Sequence, residues 1–469
     1  MAQSQTPHTR SLSSSSTVAP IVDHLPAEIL AEIFSTEPPA CIELPPVSSA
    51  SDSTDFRIPS PWSLASVCRR WRDVVFSTPY LWSILYIRMK LPPHPSLIPT
   101  LQLFLERSGN HPLTFVLRAG GEVRQTIFPQ VLACLVKRAR QWEVVSLAFN
   151  LKLFNECAYL QDPDICFPRL RALKIASWPH ICLNNLQPPP YKILTRAPLL
   201  SELALEGFSY YPLTLHLPWD QITYLSMKHN DAGVEWLLDI LEHTPNLCVL
   251  TFDACEPDGQ WQSKKHGDRL IVLSHLQELD WSCRAMWDYS SFFNHVSAPH
   301  LRFFNLLCHE NEWHQDPIRA FLQRSSCSVT YAKLHTATLN YLGELRPYFG
   351  MFPDVKVLSL SAAFNRSELQ ELTVSGEASE MTQFPKLQTL DLHESHNMVR
   401  EKDYSAFVEV VKSRLRGPEG LGGGGGVAKL ECLQIFTYGS DETSKLYEVL
   451  RQNLSPDDLK FVHQEFVRN

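Results

Sequence analysis

Residue types capable of chemistry are present, but not in the arrangements that chemistry needs. His309 and His314 flank Glu310, Glu312 and Trp313. Metal sites take ligands at recurrent spacings that this run does not match, and a polar loop between a strand and a helix accounts for it. Glu401 and Asp403 are paired acids of the kind used for proton transfer, yet they interleave with Arg400 and Lys402 as in a solvated turn. The glycine run 422–426 lacks the Lys-Ser/Thr pair of a phosphate-binding loop. G-x-S-x-G and H-E-x-x-H are absent, and the 12 cysteines include no C-x-x-C. The compact basic patch Lys137-Arg138-Ala139-Arg140 closes a helical pattern, where cations are favoured by the helix dipole. The expectation is a chain with no catalytic residue, no metal and no cofactor.

The elements that would position a binding surface are more informative. A short strand pattern, L-x-x-L-x-L, recurs, often with a proline upstream. Clear copies are Leu170-Leu173-Ile175, Leu200-Leu203-Leu205, Ile222-Leu225-Met227, Leu247-Leu250-Phe252, Leu276-Leu279-Trp281, Leu301-Phe304-Leu306, Val355-Leu358-Leu360 and Leu387-Leu390-Leu392. Val144-Leu147-Phe149 and Leu430-Leu433-Ile435 are weaker, and Val329-Ala332-Leu334 is degenerate. From 144 to 387 the starts are 22 to 32 residues apart, around the leucine-rich-repeat range. Helical periodicity fills the gaps at 231–243, 317–324 and 403–416. Strand plus helix per unit makes a curved solenoid in which each unit buries its apolar face against its neighbours.

In such a strand the listed apolar positions turn inward and the residues between and after them face the concave side. That gives Lys174, Glu202, Glu206, Tyr224, Lys228, Asp253, Glu278, Asp280, Asn305, Asp391 and His393. The central group of Glu202, Glu206, Tyr224, Lys228, Asp253, Glu278 and Asp280 is expected to contact a target protein with a basic or mixed surface. An ordinary solvated face is the alternative.

Ahead of the array, residues 1–20 read as a disordered Ser/Thr-rich tail. Order starts at Ile21. Pro26 suits a first helical position and Glu28 a first turn, while Ile29, Leu30, Ile33 and Phe34 supply apolar side chains at helical spacing. Residues 36–59 lose periodicity and read as an inserted loop. A second helix is expected with Ser60 as N-cap and Pro61 at N1, carrying one stripe through Leu64, Val67, Cys68, Trp71 and Val75. Leu64, Val67 and Trp71 read first as core of that stripe. Thr78-Pro79-Tyr80-Leu81-Trp82-Ser83 and a strand-like Ile84-Leu85-Tyr86-Ile87 follow.

The ordered set Leu25-Pro26-x-Glu28-Ile29-Leu30-x-x-Ile33-Phe34, Leu64-Ala65-x-Val67-Cys68-Arg69-x-Trp71-Arg72 and Pro79-x-Leu81-Trp82 resembles an F-box, in the version found in the large class of fungal F-box proteins. The loop insertion departs from the compact pattern. The resemblance implies docking to a Skp-type adaptor, and through it to a cullin-RING scaffold, with the C-terminal region selecting a substrate for ubiquitination. It implies adaptor contact by Leu25, Pro26, Glu28, Ile29, Leu30, Ile33, Phe34, Val67, Trp71 and Trp82. The fold class expected is α/β: an N-terminal all-α F-box-like module at 21–87, then a curved leucine-rich-repeat-like solenoid at 100–469 interrupted by a Gly-rich loop at 417–427.

Bulk composition fits. The hydrophobic fraction of 44% and charged fraction of 20% are those of a folded chain with a substantial core. A net charge of -8 argues against a nucleic-acid partner. No run is long enough to cross a bilayer, and the first residues lack the apolar core of a secretory signal. An intracellular site, cytoplasm or nucleus, is expected. Two other readings stand beside the ligase receptor: an adaptor-binding repeat scaffold with no role in ubiquitination, and an α/β hydrolase or transferase, which would need Gly-rich turns at the C-terminal ends of its strands.

Overall fold

Each clear repeat opens with a tight turn. In Phe167-Pro168-Arg169-Leu170 the Leu170 N–H donates to Phe167 O at 3.2 Å, and the same bond closes Ala197–Leu200, Thr244–Leu247, Ala298–Leu301, Phe352–Val355 and Phe384–Leu387. Proline at the second position presets the backbone for such a turn. The first and fourth side chains are buried in every case, so the turn is nailed into the core. The next amide then donates back to the preceding rung, as Arg302 N does to Gln277 O at 2.9 Å and Gln388 N to Lys356 O at 2.8 Å. Turn, lateral bond and strand thus repeat as one unit.

The structure, a computed structural model, describes residues 25–36, 41–42, 61–89, 96–119, 127–149, 164–177, 196–207, 213, 216–230, 234–254, 269–283, 289–308, 315–336, 350–361, 364, 366–374, 383–394, 399, 401–416, 427–438 and 445–467. The 1–20 tail, Ser60, the 309–314 run and the glycines 422–426 lie outside these, as does nearly all of the 36–59 loop.

Successive strands join one 15-stranded parallel sheet in chain order. It runs β1 (Cys41–Ile42), β2 (Ile84–Met89), β3 (Leu113–Ala119), β4 (Trp142–Phe149), β5 (Ala172–Ser177), β6 (Glu202–Glu206), β7 (Tyr224–Asn230) and β8 (Val249–Ala254). It continues through β10 (Glu278–Cys283), β12 (Phe303–Cys308), β13 (Tyr331–Thr336), β14 (Val357–Ser361), β15 (Thr389–Glu394), β16 (Cys432–Tyr438) and β17 (Val462–Val467). The remaining pair, β9 (Ile271–Val272) and β11 (Val296–Ser297), forms a small separate parallel ladder. Helices α4 (Leu97–Arg107), α5 (Ile127–Val136), α6 (Val234–Leu241), α7 (Tyr289–His295), α8 (Gln315–Ser325), α9 (Arg366–Leu372), α10 (Tyr404–Arg416) and α11 (Lys445–Asn453) lie between strands.

The ladder is nearly in register from end to end. Leu173, Leu203, Leu225, Leu250, Leu279 and Phe304 form one inward column, and Ile175, Leu205, Met227, Phe252, Trp281 and Leu306 a second. All are buried. Each buried Leu or Ile contributes about 1.5–3 kcal/mol, so the columns are the main stabilising feature. A buried cation is held by backbone carbonyls. Arg414, 1% exposed, donates to Leu372 O at 2.8 Å, Phe384 O at 3.2 Å and Gln383 O at 2.5 Å.

The N-terminal helices are α1 (Ala27–Thr36), α2 (Pro61–Val67) and α3 (Arg69–Ser77). The expected single second helix is therefore two. Cys68 adopts extended backbone between them and caps α3, its Sγ accepting from Trp71 N at 3.4 Å. Two further expectations need correction. Within the presumed loop, Cys41–Ile42 pairs with Tyr86–Ile87 as an edge strand. The weak copy at 144 is out of frame: Val144 is exposed, and the rung is Trp142-Val145-Leu147.

That corrected rung has a counterpart in Trp82-Leu85-Ile87. The Trp142 indole donates to Leu135 O at 3.0 Å and the Trp82 indole to Val75 O at 2.9 Å, seven residues back in both. Trp82 is thus the first rung of the array rather than an exposed side chain. Its ring meets Trp62 at 5.2 Å and Phe104 of α4 at 5.0 Å, and the Arg107 guanidinium lies over Phe76 at 4.1 Å and over Trp82 at 4.9 Å. Helical module and sheet share this cluster. Trp82→Ala should cost about 3–5 kcal/mol, in the range of buried aromatic truncations, and raise amide exchange across both α3 and α4. A urea midpoint followed by circular dichroism reads the loss, and an unchanged midpoint contradicts the shared core.

Candidate functional site

Two surfaces emerge from this framework. The first is on α1. Apolar residues occupy both faces of this helix, and packing sorts them. Leu30 and Phe34 are buried, Phe34 meeting the half-buried Trp71 ring at 4.7 Å. Leu25 is half-buried, and its carbonyl accepts from the Arg70 guanidinium, tying the start of α1 to α3. Pro26 and Glu28 are exposed, while Ile29 (46%) and Ile33 (45%) are exposed one helical turn apart. Val67, expected in the core stripe, is 60% exposed because the break at Cys68 ends α2 there; Leu64 stays half-buried. Of the adaptor candidates, then, Pro26, Glu28, Ile29, Ile33 and Val67 are accessible, Leu25 and Trp71 partly so, and Leu30, Phe34 and Trp82 form the support beneath.

The second surface is the outward side of the ladder. Every expected target residue lies on it. Glu202 pairs in register with Tyr224, Glu206 with Lys228 and Lys228 with Asp253. Glu278 and Asp280 follow on β10, opposite Val249 and Thr251. Glu202, Tyr224, Lys228 and Glu278 are exposed, whereas Glu206, Asp253 and Asp280 are half-buried. Lys174 Nζ reaches Glu206 Oε2 at 2.6 Å. Asp280 accepts from Asn305 Nδ2 at 2.8 Å; burial raises its pKa, partly offset by Lys228 and Lys333.

The same surface continues over β13 to β17 with residues left out of the expected group. Lys333 and His335 come from the degenerate repeat and Phe436 from the weak one, Lys333 at the offset that identified Asp280 and the two rings at the offset that identified Glu206. The rings of His335 and His393 are 4.6 Å apart, and His393 stacks on Phe436 at 4.5 Å with 14° between planes. His335 Nε2 is 3.2 Å from Ser359 Oγ. Burial, with Lys333 and then His393 adding, pulls His335 down to about 3; burial and Lys333 pull His393 down to about 4. Burial raises Asp391 to about 6, Glu465 adding and Lys333 opposing.

Among the described residues, no group of three or more His, Cys, Asp and Glu could hold a metal ion. No helix among them is long and apolar enough to cross a membrane. Lys137 and Arg138 continue the C-terminal turn of α5, their amides donating to Ala133 O and Leu135 O, which suits the dipole reading of that patch.

Residues 22–88 match the F-box-like family model. The chain carries an F-box-like domain there, followed by a long parallel-strand sheet of leucine-rich-repeat-like units. The match covers α1 to α3 and all but the last residue of β2, so it reaches into the first full strand of the array. No curated protein matches the chain.

The histidine pair sets a pH response. Unfolded, both imidazoles take the ordinary value near 6.5; folded, they resist protonation. The stability that their neutral forms contribute is complete above about pH 6.5 and is lost as pH falls toward 4 and 3. Asp391 acts oppositely: its penalty is full above about pH 6 and relaxes as pH falls. Two rings outweigh one carboxyl, so the thermal midpoint should drop between pH 7 and pH 4.5. His335→Gln combined with His393→Gln should flatten that drop. A slope identical to that of the parent chain in a thermal-shift series would contradict the assignment.

Proposed function

We propose that this chain is the substrate-recognition subunit of an SCF-type cullin-RING ubiquitin ligase, the module at 21–87 docking a Skp-type adaptor and the array at 100–469 holding a target protein. The F-box-like match at 22–88 carries the reading. The exposed row Pro26, Ile29 and Ile33 supports it, because a helix that keeps two isoleucines in water above an already filled core has apolar area left for a partner. Leu25, Glu28, Val67 and Trp71 would border that contact, with Leu30, Phe34 and Trp82 fixing its shape from below.

The receptor itself is non-catalytic in this reading. The conjugating enzyme carries the thiolester, and the receptor contributes proximity by holding a target lysine near it. Target contact falls on Glu202, Glu206, Tyr224, Lys228, Asp253, Glu278 and Asp280, a face with more carboxylates than cations. The complex would act inside the cell, in cytoplasm or nucleus, without membrane, nucleic acid or cofactor.

Ile29→Lys with Ile33→Lys should abolish co-purification with the Skp-type adaptor and with cullin, while changing stability by no more than about 0.5 kcal/mol, as exposed substitutions do. Undiminished adaptor binding by the folded variant would overturn the docking assignment. Adaptor binding without cullin would favour the repeat-scaffold reading instead. Separately, Glu202→Lys with Glu206→Lys should leave adaptor binding intact and slow target turnover at least tenfold; proteins enriched under proteasome inhibition provide the readout, and unaltered turnover removes these residues from the target face.

A further inference from the structure

The outward face of β12 to β17 is chemically unlike an ordinary solvated surface. One row runs Asn305, Lys333, Ser359, Asp391, Gln434 and His463 in continuous register. Beside it, His335, His393 and Phe436 make a continuous platform of rings across β13 to β16. Ser359 is buried, His463 exposed and the others half-buried, so folding has already removed much of the water from this surface. Asp391 Oδ1 and Asn305 Oδ1 are buried and accept no hydrogen bond among the described residues. Buried acceptors without donors are costly in a folded chain. Lys333 is the single Lys or Arg on these two rows among the described residues, against the carboxylates Asp391 and Glu465 and the neighbouring Asp280.

We propose that this platform, His335, His393 and Phe436 with Asp391 at its side, seats an arginine side chain of the target protein. The proposal rests on the target-receptor reading given above. A guanidinium supplies what the surface lacks: a planar cation that lies on aromatic faces and a fork of N–H donors that pairs with a carboxylate. The imidazoles are neutral at physiological pH, their pKa values depressed to about 3 and about 4, so they stack with the cation without repelling it. The ionised Asp391 carboxylate is disfavoured by its surroundings, its pKa raised to about 6, and an incoming cation relieves that. The groups facing it are Lys333, Tyr331 and His335 from β13, Ser359 from β14, Cys432 from β16, Glu465 from β17 and His393 on its own strand. Neither histidine mimics the protonation of Asp391 near pH 6, since both stay neutral there.

The test is selection of a displayed random heptapeptide library on the immobilised full-length chain at pH 7.5, with Asp391→Asn as counter-selection. The expected result is arginine enriched several-fold over glutamate in retained peptides. A synthetic peptide from that pool should bind at least tenfold more weakly to Asp391→Asn, more weakly to Phe436→Ala, and at least tenfold more weakly to the parent chain at pH 5.0. Thermal midpoints of both variants establish that they are folded. Retention of no peptide, enrichment of acidic peptides, or equal retention on Asp391→Asn overturns the proposal. The adaptor is absent from this assay, so loss of adaptor docking with arginine selection intact would refute the ligase reading alone, and the converse would refute the arginine seat alone.

Discussion

Everything in this molecule depends on the register of its parallel ladder. Because side chains alternate strictly between faces, a one-residue slip between neighbouring rungs would carry a whole inward column into water. The proline turns prevent it. Each fixes the fourth turn residue in the core and aims the following amide at the previous rung, so register is set before the strand begins. The inward columns can then be uniformly apolar, and the outward rows are free to vary. The last strand marks the end of the pattern: Gln464 of β17 falls in register with Ile435, and its Nε2 is buried without a partner among the described residues.

A solenoid must also close its exposed ends. At the N-terminal end β1 pairs along the edge of β2 and the F-box-like helices pack on the first full rung. Trp82 stands where Trp142 stands one rung after the next, the two indoles making the same bond to the carbonyl seven residues back. The turn Pro79–Trp82 is both the end of the helical module and the first turn of the array. Arg107 of α4 lies over Phe76 and Trp82 from the far side. Among the described residues α3, the turn and β2 follow one another directly, and the helices and the sheet share a core. Under the proposed receptor reading this would matter, since a rigid junction converts target binding into a defined target position, whereas a flexible one would dilute it.

Much of this was legible in the chain. Apolar spacing at Leu170-Leu173-Ile175 and its copies located the rungs from β5 to β16, and even the degenerate Val329-Ala332-Leu334 is a true rung. Failures have local causes. β3 shows alternation at Leu113, Phe115 and Leu117 without the leucine spacing, and β17 carries Gln464 where an apolar residue was required. The frame at β4 slipped because Val144, Leu147 and Phe149 satisfy the motif as well as Trp142, Val145 and Leu147 do. Cysteine is not among the usual N-caps, and the stripe through Leu64, Cys68, Trp71 and Val75 runs unbroken in sequence across the break at Cys68. On α1, Ile29 and Leu30 are equally apolar, and only the packing of Phe34 on Trp71 decides which of the neighbours is core. The charged rows of the concave face could be placed by offset alone, but the mutual influence of Lys333, Asp391 and Glu465, drawn from three repeats, is a property of the assembled sheet.

That electrostatic arrangement limits what the concave face can hold. Glu206, Asp253, Asp280 and Asp391 are half-buried, so any partner that covers them removes their remaining water. A neutral or acidic partner would have to leave Asp391 ionised without a donor among the described residues and Asp280 with only the one from Asn305, or protonated at a further cost, and each such buried group is worth about 1–3 kcal/mol against binding. A partner carrying donors at those positions escapes the penalty. Discrimination of this kind comes from the cost imposed on wrong partners as much as from contacts to the right one. The raised pKa of Asp391 and its acceptor oxygen without a donor among the described residues are therefore two expressions of a single condition: a surface that folding has partly dried and left short of positive charge.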